Sequence, residues 1–64
     1  MEKLKELREE KGLTQTQLAT ELKINQRTIS GYETGVSEPD IATIKKICDF
    51  FDVTADYLLG FKDY

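Results

Sequence analysis

Residues 13–39, LTQTQLATELKINQRTISGYETGVSEP, decide the fold. Two short helical patterns lie here with only three or four residues between them, and a glycine turn follows the second. Thr14 stands where an N-cap belongs, and Gln17, three residues on, completes a capping box. Leu18, Ala19 and Leu22 then share one face. Asn25 is placed to cap a second helix anchored by Ile29 and Tyr32, while Gln26, Arg27 and Ser30 fall on a different, polar face. One helix is therefore packed against another, and the second keeps a polar face free to dock elsewhere. This is the pattern of a helix-turn-helix, over about residues 15–34.

The flanking sequence supplies the supporting helices. Residues 2–11 carry a Leu4/Leu7 stripe and stop at Gly12. Residues 26–33 contain Gly31, which costs a helix interior up to about 1 kcal/mol relative to alanine. It reads either as a tolerated surface glycine or as a point of close approach for a partner backbone. Thr34-Gly35 ends that helix, and Pro39 closes the loop after it. Asp40 caps a fourth helix over residues 41–51, whose apolar face is Ile41, Ile44, Ile47, Cys48 and Phe51, with Phe50 widening it. Thr54 caps a fifth, residues 55–59, stopped by Gly60, with Leu58 and Leu59 closing the core over Val53. The expected core is Leu4, Leu7, Leu18, Leu22, Ile29, Ile44, Ile47 and Leu58, and the expected fold class is all-α, a compact bundle of five short helices.

Sixty-four residues make one domain at most, spanning 1–64, and a small core. The lone Cys48 permits no intrachain disulfide, and its apolar setting reads as a buried thiol. With no histidine and one cysteine, the usual transition-metal clusters are excluded, and no cofactor is expected. No apolar run is long enough for a membrane span and nothing resembles a signal peptide, so a cytoplasmic location is expected. The net charge of −3 argues against a protein that coats nucleic acid indiscriminately. It is unevenly spread: residues 1–30 hold six basic and five acidic groups, residues 31–64 three and seven. A surface facing nucleic acid would draw on Arg8, Lys11, Lys23 and Arg27, with Lys45 or Lys46 as further candidates.

From Leu4 to Gly60 the chain resembles the lambda-repressor-like, Cro-type regulators known as the XRE family. The resemblance runs through Leu4-x-x-Leu7-Arg8, Gly12-Leu13-Thr14-Gln15, Leu18-Ala19, Ile24, Ile29 and Tyr32-Glu33-x-Gly35. It continues through Pro39, Ile44, Ile47, Val53-Thr54 and Leu58-Leu59-Gly60. It implies a five-helix bundle whose third helix enters the major groove of an operator. Gln26, Arg27 and Ser30 are then candidate base readers. Glutamine can hold adenine N6/N7 and arginine guanine O6/N7. Gln15 matches a family position that grips phosphate, and Arg8, Thr14, Lys23, Asn25 and Thr28 are further candidates for backbone contact or capping. Arg8 and Glu33 match an internal ion pair found in parts of the family.

Three positions depart from the family's common pattern. Lys23 stands where a turn glycine is frequent, Val36 where a basic residue often follows Gly35, and Gly31 removes a side chain that sometimes reads a base. The expected function is a sequence-specific DNA-binding transcriptional regulator, read as a repressor, acting as a homodimer on a near-palindromic double-stranded operator. Tyr57, Phe61 and Tyr64 are the candidate dimer contacts, although Tyr57 can equally cover the monomer core. The rival reading is a protein-interaction module of the same fold, such as an antitoxin-like partner. Catalysis is not expected, for want of a nucleophile–base pair or a pocket, and neither is a small-molecule ligand.

Overall fold

The computed structural model describes residues 1–61. The described chain forms five helices in the order expected: α1 (Glu2–Glu10), α2 (Gln15–Leu22), α3 (Gln26–Thr34), α4 (Ile41–Phe51) and α5 (Ala55–Leu58). Their starts are set by side chains. Thr14 Oγ1 accepts the Gln17 N–H (3.1 Å) and Gln17 Oε1 accepts the Thr14 N–H (2.9 Å), which closes the capping box. Asn25, Asp40 and Thr54 each accept one first-turn N–H at 2.8–3.1 Å. At Asp40, hydrogen bonding from Thr43 holds the carboxyl below its ordinary range.

Four of the helix ends share one device. A residue in the left-handed region turns the chain, and the next N–H reaches back to the carbonyl five residues earlier. These bonds are Leu13→Arg8, Ile24→Ala19, Val53→Cys48 and Phe61→Asp56, at 2.8–3.1 Å. The turning residues are Gly12, Lys23, Asp52 and Gly60. Lys23 thus takes a conformation that costs a side-chain-bearing residue about 1–2 kcal/mol, at φ 57°.

Leu4, Leu18, Ile29, Ile47 and Leu58 are fully buried at the centre, one from each helix. Leu7, Ala19, Leu22, Tyr32, Cys48 and Phe51 complete the core. Three expectations need correction. Ile44 is only half-buried against the core. Ile41, the first residue of α4, is 85% exposed. Leu59 is 41% exposed, because α5 ends at Leu58 and the next residue turns outward. Burial pushes the Cys48 thiol up from its ordinary pKa, with Asp49 adding to the effect.

Gly31 meets neither reading of it. A Cβ there would lie 3.0 Å from Ser37 Oγ, and the Ser37 N–H donates to the Gly31 carbonyl (3.1 Å). The close approach is made by the chain's own loop folding back over the end of α3. That loop, α4 and Leu59 enclose a shallow groove of about 280 Å³ that Met1, Tyr32, Pro39 and Ile44 also line.

Candidate nucleic-acid interface

The α2–α3 pair is the most extensive helix–helix contact of the fold. Leu18, Ala19 and Leu22 of α2 and Ile29 and Tyr32 of α3 face the core, which turns the remaining faces to solvent. Gln26 and Arg27 stand exposed on the first turn of α3, and Ser30, one turn on, is half-buried. Thr28 is also half-buried, whereas Thr14, Lys23 and Asn25 are exposed. The Thr14 and Asn25 side chains each hold a helix N-terminus, and both keep a donor to spare, the threonine O–H and the asparagine NH₂.

A chain of hydrogen bonds runs from the interior to this face. Arg8 grips Glu33 through two parallel bonds, Nε to Oε2 (2.7 Å) and Nη2 to Oε1 (3.1 Å), while its Nη1 donates to the Leu13 carbonyl (2.8 Å). The pair ties α1 to α3 and to the entry of α2. Gln15 Nε2 donates to the same Glu33 Oε1 (3.1 Å), and Gln15 Oε1 accepts from Gln26 Nε2 (2.7 Å). The starts of α2 and α3 are therefore fastened side by side. The two charged side chains are nearly shut off from water, at 11% exposure for Arg8 and 3% for Glu33. Burial by itself would push Glu33 up, but the hydrogen bonds from Arg8 and Gln15, with the charges of Arg8 and Lys5, hold it below the ordinary range. Its acceptance of the Arg8 hydrogen bonds raises the guanidinium in turn.

The sequence profile described as "Helix-turn-helix" matches residues 4–58. The chain belongs to the XRE-type helix-turn-helix family. Among its relatives is the HTH-type transcriptional regulator ImmR of Bacillus subtilis (strain 168), 40% identical over 58 residues, which are 91% of this chain and 46% of that protein. The HTH-type transcriptional activator BcrR of Enterococcus faecalis is 47% identical over 59 residues, 92% of this chain and 29% of BcrR. The uncharacterized HTH-type transcriptional regulator YqaE of Bacillus subtilis (strain 168) is 43% identical over 58 residues, 91% of this chain and half of that protein. The chain thus spans half the length or less of these three relatives. No solved structure matches it significantly.

Within this helix-turn-helix domain, the positions expected to face DNA divide into two sets. Thr14, Gln15, Lys23, Asn25, Gln26 and Arg27 belong to α2, α3 and the caps that bound them, with Gln15 bonded to Gln26, and Thr28 and Ser30 are half-buried on α3. Arg8 is set apart from them: its guanidinium is engaged by Glu33 and the Leu13 carbonyl, as the internal ion pair expected of it requires. Lys46 stays exposed on α4 but donates to the Leu22 carbonyl (3.0 Å) at the end of α2, and Lys11 Nζ lies 5.5 Å from the centre of the Phe50 ring. Of the dimer candidates, Tyr57 is half-buried against the core, with Lys3 Nζ 4.8 Å from the centre of its ring. Phe61 is 75% exposed, and Tyr64 lies outside the described residues. The Gln15–Gln26 bond and the Lys46 anchor were missed by sequence reasoning. Each joins side chains or carbonyls far apart in the chain, and neither leaves a local pattern. No helix among the described residues is long and apolar enough to cross a membrane.

Proposed function

We propose that this domain is a sequence-specific operator-binding module that sets the first turns of α3 into the major groove. The observation that carries the reading is the fastening of the α2 start to the α3 start through Gln15 and Gln26. It turns a helix N-terminus suited to phosphate and a polar pair suited to base edges toward the same partner. Gln26, Arg27 and Ser30 read bases in this proposal. Gln15, Thr14, Asn25, Thr28 and Lys23 hold the backbone: Gln15 still has one amide hydrogen to give, and Lys23 projects from the turn between the helices.

The domain acts as a homodimer on a near-palindromic site. Its extents of 27 × 23 × 19 Å fit one half-site, whereas half-sites recur about 34–36 Å apart. The exposed apolar side chains of Val36, Ile41 and Phe61 favour a protein contact, and a second copy is the occupant that a symmetric operator requires. Repression by occupying the operator is the output proposed here, although BcrR carries the name of an activator. The same exposed apolar residues support the rival reading, a protein-interaction module.

Selection from a random duplex library tests the proposal. Recovery of a two-fold-symmetric motif supports it. Arg27→Ala should then relax preference at one base pair, whereas Gln15→Ala should weaken all duplexes nearly uniformly. Identical base-by-base profiles for these two variants would refute the division between reading and holding. Enrichment of no motif, with capture of a protein partner instead, would favour the rival.

A further inference from the structure

The polar chain behind Gln26 has a direction. An arginine guanidinium can only donate, and the carboxylate of Glu33 can only accept. Glu33 therefore requires that Gln15 turn its NH₂ group inward, at 3.1 Å. That leaves the Gln15 carbonyl oxygen facing Gln26, which must answer with its own NH₂, at 2.7 Å. Each amide is ambiguous alone, since oxygen and nitrogen can be exchanged by a half-turn. The ion pair removes the ambiguity at one end, and the chain carries the choice to the other.

We infer that Glu33, held by Arg8, is a specificity-positioning residue: it fixes the hydrogen-bond sense of Gln26 and so its preference for adenine over guanine. The inference rests on the major-groove reading above. In the fixed sense Gln26 presents its carbonyl oxygen and one remaining N–H, which match the N6 donor and N7 acceptor of adenine. In the opposite sense its oxygen would face Gln15, and both amide hydrogens would point outward. Two donors suit the N7 and O6 acceptors of guanine. Glu33 is buried behind Gln15 and touches no base in this arrangement, so its influence is exerted only through the two amides.

The test uses Glu33→Gln, which keeps the shape of the side chain but gives it a donor as well as an acceptor. The base pair read by Gln26 is first located as the one whose preference disappears in Gln26→Ala. At that base pair, the ratio of affinities for adenine and guanine duplexes should fall about five-fold or more in Glu33→Gln, with the other positions of the profile unchanged. A variant that only loosened the fold would weaken all duplexes together. If Glu33→Gln does not fold, the paired change Arg8→Met with Glu33→Leu replaces the ion pair by apolar side chains and should give the same localised loss. Nitrogen–proton correlation spectra of the free protein provide a readout without DNA. The two Gln26 amide protons should be widely split in the native chain and collapse toward free glutamine in the variants.

An unchanged adenine-to-guanine ratio in folded variants, while the native chain still selects its operator, overturns this inference and leaves the DNA reading standing. So does a native Gln26 amide pair already at free-glutamine positions. A native chain that binds no duplex brings down both.

Discussion

Replacing Glu33 with alanine tests the energetics of the site most directly. The carboxylate is 3% exposed and accepts both bonds from an Arg8 that is itself only 11% exposed. Its loss leaves the guanidinium buried with the Leu13 carbonyl as its one remaining acceptor among the described residues. Breaking a buried pair from one side costs about 3–5 kcal/mol, because the surviving charge is left uncompensated. A domain of this size has about 3–10 kcal/mol of stability in all. Glu33→Ala should therefore lower the urea midpoint sharply, followed by far-ultraviolet circular dichroism, and leave a measurable unfolded population in buffer. The paired change Arg8→Met with Glu33→Leu removes both charges and should cost little or even stabilise.

The same pair sets an acid limit. The folded Glu33 pKa lies below the ordinary value, so its contribution is complete above that ordinary value. It is then lost as pH falls through the ordinary value to the lowered one. Acid denaturation should show this loss in the native chain and not in the doubly apolar variant. A Glu33→Ala cost below about 1 kcal/mol, typical of an exposed pair, would refute the reasoning. So would identical acid slopes for the native chain and the double variant.

Ile29→Ala and Ile47→Ala should each cost about 2–5 kcal/mol in urea titrations, whereas Ile41→Ala should stay within about 0.5 kcal/mol. Equal effects at Ile41 and Ile47 would contradict the orientation of α4. Lys23→Gly should stabilise by up to about 1 kcal/mol by relieving the left-handed turn, yet reduce the salt slope of operator binding by up to about one. A slope that stays the same would remove Lys23 from the phosphate contacts. Cys48 should react slowly with iodoacetamide in the native state and rapidly in urea, and equal rates would show that the thiol is not buried.

The local grammar of the fold was legible in the sequence. Caps at Thr14, Asn25, Asp40 and Thr54 work within a few residues, so each left a readable mark, and helix bounds came out within one residue. Apolar periodicity found the central residue of every helix but could not tell which residues of a stripe the other elements cover. Ile41 continues the α4 stripe in sequence, yet in space nothing covers it. Gly31 reads from the sequence as a tolerated surface glycine or an approach point for a partner backbone, but the approaching atoms belong to Ser37, six residues later, and loop paths have no periodicity to read.

The site was legible as a set of residue types and not as a circuit. Arg8 and Glu33 stand 25 residues apart, Glu33 and Gln15 18, and Gln15 and Gln26 11. No local spacing announces that four side chains from three helices will meet end to end. The meeting also recasts the charge balance. The sequence counts Arg8 and Lys46 as positive surface, but the fold withdraws Arg8 from water, while Lys46 stays exposed with its ammonium on the end of α2. Within the helix-turn-helix, Lys23 and Arg27 are the only cations left. Under the operator reading, so small a positive charge gives weak sequence-independent attraction and a shallow salt dependence. Discrimination must then come from the direction and placement of hydrogen bonds, and the buried ion pair supplies both to the side chain at the front of α3.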